Sequence, residues 1–252
     1  MLLALDTSAI ASAALLDDDA PSVEEGQADD GTSRLVASFS SPDTRRHAEV
    51  LASAVADLVD AHGRPDRIVV GVGPGPFTGL RVGIAAARTL AFVWQIPLYG
   101  LRSLDALAWD ATRSNSRGDG DFLVATDARR KEVYWARYTA VGRLVAGPFV
   151  AAASELPADL PVYGAGAGLY AEQLGSRDVP EFAQAQPQAA SLGQVAAQIL
   201  RRHNASHVNG HNANSNASHD AADSPWAPLL DTTPLYLRGS DAQVPGPRKR
   251  VS

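Results

Sequence analysis

Cysteine is missing from all 252 residues, and with it go a disulfide framework, thiol catalysis and a cysteine-ligated zinc site. No uninterrupted apolar run approaches the ~18 residues that a membrane-spanning helix requires. The opening stretch, MLLALDTSAIASAALL, has no basic leader and carries Asp6 inside its apolar run, so it reads as a pair of strands rather than a secretion signal. A soluble, cytoplasmic protein is expected by elimination. A pervasive charge of one sign is missing too. The net charge is −6, but residues 17–33 (DDDAPSVEEGQADDGTS) hold seven acids and no base, which leaves the rest near neutral. The folded body therefore makes no electrostatic case for binding nucleic acid on its own. Arg248-Lys249-Arg250 is a small basic cluster that reads as a solvated tail.

What is present is an ordinary globular mixture, 45% hydrophobic and 20% charged, in a chain long enough for one large domain or two smaller lobes. Its most informative stretch is Ile68 to Trp94, IVVGVGPGPFTGLRVGIAAARTLAFVW. Ile68-Val69-Val70 reads as a buried strand. Gly71, Gly73, Pro74, Gly75, Pro76 and Gly79 make a turn too rich in glycine and proline for a helix or central strand. After Thr78 an apolar helix begins, with Gly83, Ala87 and Ala91 at i, i+4 and i+8 on one nearly bare face. Glycine inside a helix costs about 0.5–1 kcal/mol relative to alanine, so a close backbone approach is expected there. A phosphate loop fits poorly, because no Gly-Lys-Ser/Thr follows at the required spacing and Pro76 stands where a dinucleotide fingerprint would place its third glycine.

Elsewhere, Leu2–Leu5 and Ile10–Leu16 read as strands joined at Asp6-Thr7-Ser8, and Leu35–Phe39 as a third, with 17–33 as a flexible acidic loop between. Thr44 to His62 reads as a helix with an apolar stripe at Leu51, Val55, Leu58 and Val59. An extended piece at Pro97–Leu101 leads to a helix whose N-cap is expected at Ser103. Arg113–Gly120 is a linker by composition. The second half opens at Asp121 with Phe122–Thr126, Asp127, Glu132–Tyr138 and Leu144–Val150, echoing the first. Pro161–Gly168 enters a glycine-rich turn, and a last helix is expected from Ala189 to Arg202. Residues 203–224 are low in complexity and hold four of the six histidines; they read as a disordered insert. The organisation expected is a lobe over 1–112, a second over 121–202, the insert at 203–224, and a C-terminal strand and basic tail over 225–252.

Candidate chemistry is sparse. His47 has Leu51, not a second histidine, at i+4, so no metal pair forms on that helix. Asp6 with Thr7 and Ser8, and Asp127, could hold a magnesium–nucleotide between two lobes, or could simply close hairpins. The second hairpin, with Arg129, Arg130 and Lys131 instead of glycine, favours the plainer role. Gly164, Gly166 and Gly168 could pass a nucleotide or merely admit a helix against a strand.

LALDTS at 3–8, RRHAEVLASAV at 45–55, VGVGPGPFTGLRVGIAAARTLA at 70–91 and PLYLR at 234–238 resemble the bacterial TsaB family. The resemblance implies an α/β fold of two RNase H-like lobes, as in actin and hexokinase. It implies a non-catalytic subunit of the complex that makes N6-threonylcarbamoyladenosine at position 37 of tRNAs reading codons that begin with A. The implied partners are the catalytic paralogue TsaD, the ATPase TsaE and, through the complex, tRNA; a homodimer is a further possibility. ATP is used by the complex, and no cofactor or metal is expected on this chain. The helices matching 45–61 and 79–94 are implied to bundle with a partner's equivalents through Leu51, Val55, Leu58, Gly83, Ala87, Leu90, Ala91 and Trp94. The rival expectation is an active small-molecule kinase or metal-dependent transferase on the same fold.

Overall fold

The structure is a computed structural model that describes residues 1–21, 32–41, 47–116, 118–175, 177–209, 226 and 228–237. Two mixed sheets share one plan. In the first, β1 (Leu2–Asp6), β2 (Ala11–Pro21) and β3 (Ser33–Ser41) form an antiparallel meander, and β4 (Arg67–Gly71) and β5 (Leu98–Leu101) continue in parallel on the other side of β1. The order is β3-β2-β1-β4-β5. In the second sheet β6 (Phe122–Asp127), β7 (Glu132–Tyr138) and β8 (Leu144–Ala152) repeat the meander, and the short β9 (Val162–Tyr163) repeats the parallel neighbour. This order, β8-β7-β6-β9, lacks only the fifth strand. The recurring apolar–Asp–turn pattern thus marks a true duplication, and the two RNase H-like lobes expected of the chain are present.

Alternation along β1 decides the layering. Leu3 and Leu5 join Leu15, Ile68 and Val70 beneath α1 (His47–His62) and α2 (Phe77–Trp94). Leu2 and Ala4 face the other way, toward α6 (Ala189–Asn209), whose Leu192, Val195, Ala196 and Ile199 are buried there. Gly193 allows that approach: a Cβ on it would stand 2.3 Å from Leu16 Cδ1. The helix α3 (Ser103–Arg113) lies against α6 on one side and β6, β7 and β9 on the other, so Phe122, Val124, Tyr138 and Tyr163 belong to the same core as Leu2 and Leu16. Asp105 of α3 accepts a hydrogen bond from the Tyr138 hydroxyl at 2.7 Å, which ties helix to sheet, and forms a buried ion pair at 3.1 Å with Arg102 at the start of its own helix. The outer face of the second sheet is covered by the short α4 (Ala165–Leu169) and α5 (Ala171–Leu174).

Several expected boundaries move. The last helix, expected in the second lobe, packs on β1, β2 and β4 of the first sheet. It also runs to Asn209, so 203–209 is helix and not disordered insert; once the packed turns from Ala189 are formed, each added residue gains a backbone bond. The acidic segment is not all loop either. Asp17 to Pro21 continue β2, and the buried Asp18 carboxylate is balanced by Arg67 at 3.0 Å. Trp226, placed by sequence in a separate tail, is buried against Trp109 at 5.7 Å between ring centres. Beyond it, Leu230 exchanges backbone bonds with Gly100 and covers the edge at β5. Residues 22–31, 42–46, 210–225 and 238–252 fall outside the described part, and with them most of the acidic loop, the start of the expected first helix, most of the insert and the basic tail. No helix among the described residues is long and apolar enough to cross a membrane.

Asp110 makes the seam between α3 and α6 sensitive to pH. Its Oδ1 accepts a hydrogen bond from Ser191 Oγ at 2.6 Å, yet burial pushes its pKa up to about 6. A carboxyl raised in the folded state adds stability at pH below its unfolded value, near 4, and that stability is lost as pH rises through about 6. A shift of this size corresponds to roughly 3 kcal/mol at most. Asp110→Asn should therefore raise the melting temperature at pH 8 and leave it nearly unchanged at pH 4. Thermal denaturation of both proteins across that range checks it.

Candidate functional site

The two strings most specific to this sequence, LALDTS and GPGPFTGLRVG, are packed against each other. Asp6 ends β1 fully buried. Its Oδ1 accepts from Ser8 N at 2.8 Å and Ser8 Oγ at 2.7 Å, and its Oδ2 accepts from Ser103 Oγ at 2.6 Å. Burial raises the Asp6 carboxyl's pKa, against the lowering effect of the Ser103 and Ser8 hydrogen bonds. Ser103 is the first residue of α3 and spends its hydroxyl on Asp6, so it is not the expected N-cap, a place held by Arg102. Thr7 Oγ1 donates to the Gly79 carbonyl at 2.7 Å.

The glycines opposite exist to admit this turn. A Cβ on Gly71 would lie 1.8 Å from Asp6 Oδ2, one on Gly75 2.5 Å from the Ser8 carbonyl, and one on Gly83 2.3 Å from Thr7 Oγ1. The space in which Asp6, Thr7 and Ser8 would meet a phosphate is taken by the chain's own loop and helix. This is hairpin closure, and it removes Asp6 from any open cleft. The pattern also gives the bare face of α2 a close neighbour within the chain: Thr7 lies against Gly83, and Ala87 and Ala91 lie in the core over the first sheet.

The second hairpin repeats the turn without the cover. Asp127 Oδ1 accepts from Arg129 N at 2.8 Å, as Asp6 does from Ser8. Arg129, Arg130 and Lys131 follow, all exposed. Gly164 and Gly166 do not face a ligand space. A Cβ on Gly164 would meet the Ala125 carbonyl at 2.4 Å and one on Gly166 the Thr126 backbone at 2.8 Å. Both serve the packing of α4 on β6. Among the described residues no group of three or more His, Cys, Asp or Glu is placed to hold a metal.

The outward surface of α1 and α2 is a different set of residues from the one the sequence suggests. Leu51, Val55, Leu58, Gly83, Ala87 and Ala91 are buried within their own chain, over the first sheet. Leu90 and Trp94 are half-buried at its margin. Facing outward are Phe92, 77% exposed, and Val93, 64% exposed. Near the start of α2, Phe77 stacks on Tyr236 at 4.9 Å with Arg81 over its ring. Ala52 and Ala56 form the exposed, small-residue side of the neighbouring α1. Reading the wheel for its large apolar residues instead of its small ones would have found Phe92.

Residues 41–161 match the family described as TsaD: tRNA N6-adenosine threonylcarbamoyltransferase. An uncharacterised protein of Mycobacterium tuberculosis H37Rv is 40% identical over 205 residues, covering 80% of this chain and 79% of that protein. The tRNA threonylcarbamoyladenosine biosynthesis protein TsaB of Escherichia coli K12 is 38% identical over 98 residues, 37% of this chain and 42% of that one. Among solved structures, YeaZ from Pseudomonas aeruginosa is 32% identical and superposes with a TM-score of 0.62, covering 80% of this chain and 93% of its own. The packed pair of strings, the duplicated lobes and these likenesses agree: the chain belongs to the TsaB/YeaZ family.

Proposed function

We propose that this protein is a non-catalytic partner subunit in the synthesis of N6-threonylcarbamoyladenosine at position 37 of tRNAs reading codons that begin with A. In this reading it docks on a TsaD paralogue through the outward faces of α1 and α2, and TsaE and ATP complete the assembly. The observation that carries it is the exposure of Phe92 and Val93 on α2, a helix that packs on α1. Fully burying a side chain of this kind is worth ~1.5–3 kcal/mol, and a partner of standard interface size, ~800 Å² a side, would supply the cover. The sealed state of Asp6 supports the lack of chemistry on this chain. Asp6, one of the two carboxylates that sequence placed between the lobes, has its near positions taken by Ser8, Ser103 and Gly71.

Reconstitution tests the reading. The purified chain should transfer no threonylcarbamoyl group to tRNA, and transfer should appear when TsaD, TsaE, threonylcarbamoyl-adenylate, ATP and tRNA are supplied. Transfer by this chain without TsaD would sink the proposal, as would failure to co-purify with TsaD at micromolar concentration. A chain that instead forms only a homodimer on the same helices would also overturn it.

A further inference from the structure

We propose that the tip of the β6–β7 hairpin is a contact for the phosphate backbone of RNA, an inference that rests on the tRNA-modifying role argued above. The tip is built in an unexpected way. Glu132 N donates to the Arg129 carbonyl at 3.0 Å, which closes a four-residue turn around Arg130 and Lys131. Their φ values are +55° and +65°, and that of Arg129 is +63°. Positive φ at both central residues makes a type I′ geometry, the tight hairpin turn that strongly favours Asn-Gly. Left-handed backbone is unfavourable for a residue with a long side chain. Here three such residues adopt it in a row, and all three are basic. Where strain is held at one place in a fold, it points to a role for the residues that bear it.

The surroundings say which role. All three residues are exposed. Asp127 pairs with Arg129 at 3.1 Å, and Tyr170 sits against Asp127 and the Lys131 amide, which fixes the base of the tip. With the carboxylates of Asp127 and Glu132 counted against the three cations, the hairpin still carries an excess positive charge in a chain of net charge −6. Free nucleotide needs a concave, enclosing site, and the counterpart space at the first hairpin is filled by Gly71 to Gly83. An exposed hairpin turn with three long cations suits a repeating, solvent-exposed polyanion. That is how nucleic-acid backbones are held, with an affinity that falls as salt rises.

The test uses the turn's own chemistry. The triple substitution Arg129→Gly, Arg130→Asn, Lys131→Gly gives the tip the residues its backbone prefers. Fluorescence anisotropy with labelled tRNA is measured for the wild-type and triple-variant complexes with TsaD, and for each chain alone, between 50 and 200 mM salt as a probe range of about one Debye-length doubling. The variant should melt at the same or a higher temperature and co-purify with TsaD as before. Its affinity for tRNA should fall roughly 10-fold, with a salt slope shallower by about two. Unchanged tRNA affinity and slope, in the complex and alone, would overturn the inference while leaving the proposed function standing. An equal loss for free ATP would identify a small-nucleotide site, and a loss of TsaD binding would identify a protein contact; either overturns it. If wild-type protein neither joins TsaD nor supports modification, the proposed function fails, and the anisotropy difference between the chains alone still decides the hairpin.

Discussion

Phe92→Asp should separate this protein from the TsaD paralogue proposed as its partner and leave its fold intact. Phe92 is 77% exposed, so the aspartate meets water in the isolated chain and asks nothing of the core. In the complex the same carboxylate would be buried against apolar surface without a partner. Central aromatic anchors of interfaces are worth ~2–4 kcal/mol when truncated, and an unpaired buried charge adds to that. Association should weaken at least 30-fold, with tRNA modification lost in proportion at limiting partner concentration. Circular dichroism and light-scattering chromatography on the same sample give both halves of the result. A Phe92→Asp protein that still co-elutes with TsaD would move the interface off α2. Ala87→Trp, on the small-residue face that the resemblance assigns to a partner contact, should do something else. Ala87 is fully buried over the first sheet, and a Trp there should unfold the lobe instead of parting two folded chains.

The second large effect belongs to Gly71→Ala. The φ of Gly71 is one that any residue adopts, so its requirement is purely for space. The added methyl would stand 1.8 Å from Asp6 Oδ2. Asp6 must then swing away, and the hydrogen bonds from Ser8 and Ser103 go with it. Losing bonds to a buried carboxylate costs ~1.5–3 kcal/mol each, and overpacking adds about 1–3 kcal/mol. Even with partial relaxation the loss should reach roughly 3–5 kcal/mol, a large share of the ~5–15 kcal/mol that holds a typical domain. A fall in melting temperature of about 10 °C or more follows for a chain of this size. The double substitution Asp6→Ala, Gly71→Ala isolates the cause. With the carboxylate gone the remaining close neighbour is Ser103 Oγ at 2.7 Å, a hydroxyl that can rotate aside once it has lost Asp6, so the pair should be little worse than Asp6→Ala alone. Additive losses would mean that Gly71 is required for some other reason.

Much of this was legible beforehand. β-branched runs and alternating apolar residues placed the strands, and the Asp-tipped hairpins disclosed the duplication that the matching strand orders display. The candidate site was only half legible. The small residues Gly83, Ala87 and Ala91 announced a close approach, but a helical period does not say whether the neighbour is the same chain or another. Thr7, 76 positions before Gly83, settles it in favour of the same chain. Ser103 looked like a cap because serine before a helix usually is one; its hydroxyl instead crosses to Asp6. The position of α6 on the first sheet could not be read either, since nothing local in Ala189–Leu200 distinguishes one apolar sheet face from another. Nor could the extension of β2 into the acidic run, which depends on Arg67 lying beside Asp18.

That same placement of α6 sets a problem for synthesis. The strand β1, Leu2–Asp6, is covered on one face by a helix that begins at Ala189. At ~5–20 residues per second, roughly 10–40 s separate the two on the ribosome. During that interval Leu2, Ala4, Ala14 and Leu16 have no permanent cover. The edge at β5 waits longer still, for Leu230. The order of translation thus runs against the order of burial, and that apolar face stays uncovered over a window whose length is fixed by the distance along the chain between β1 and α6.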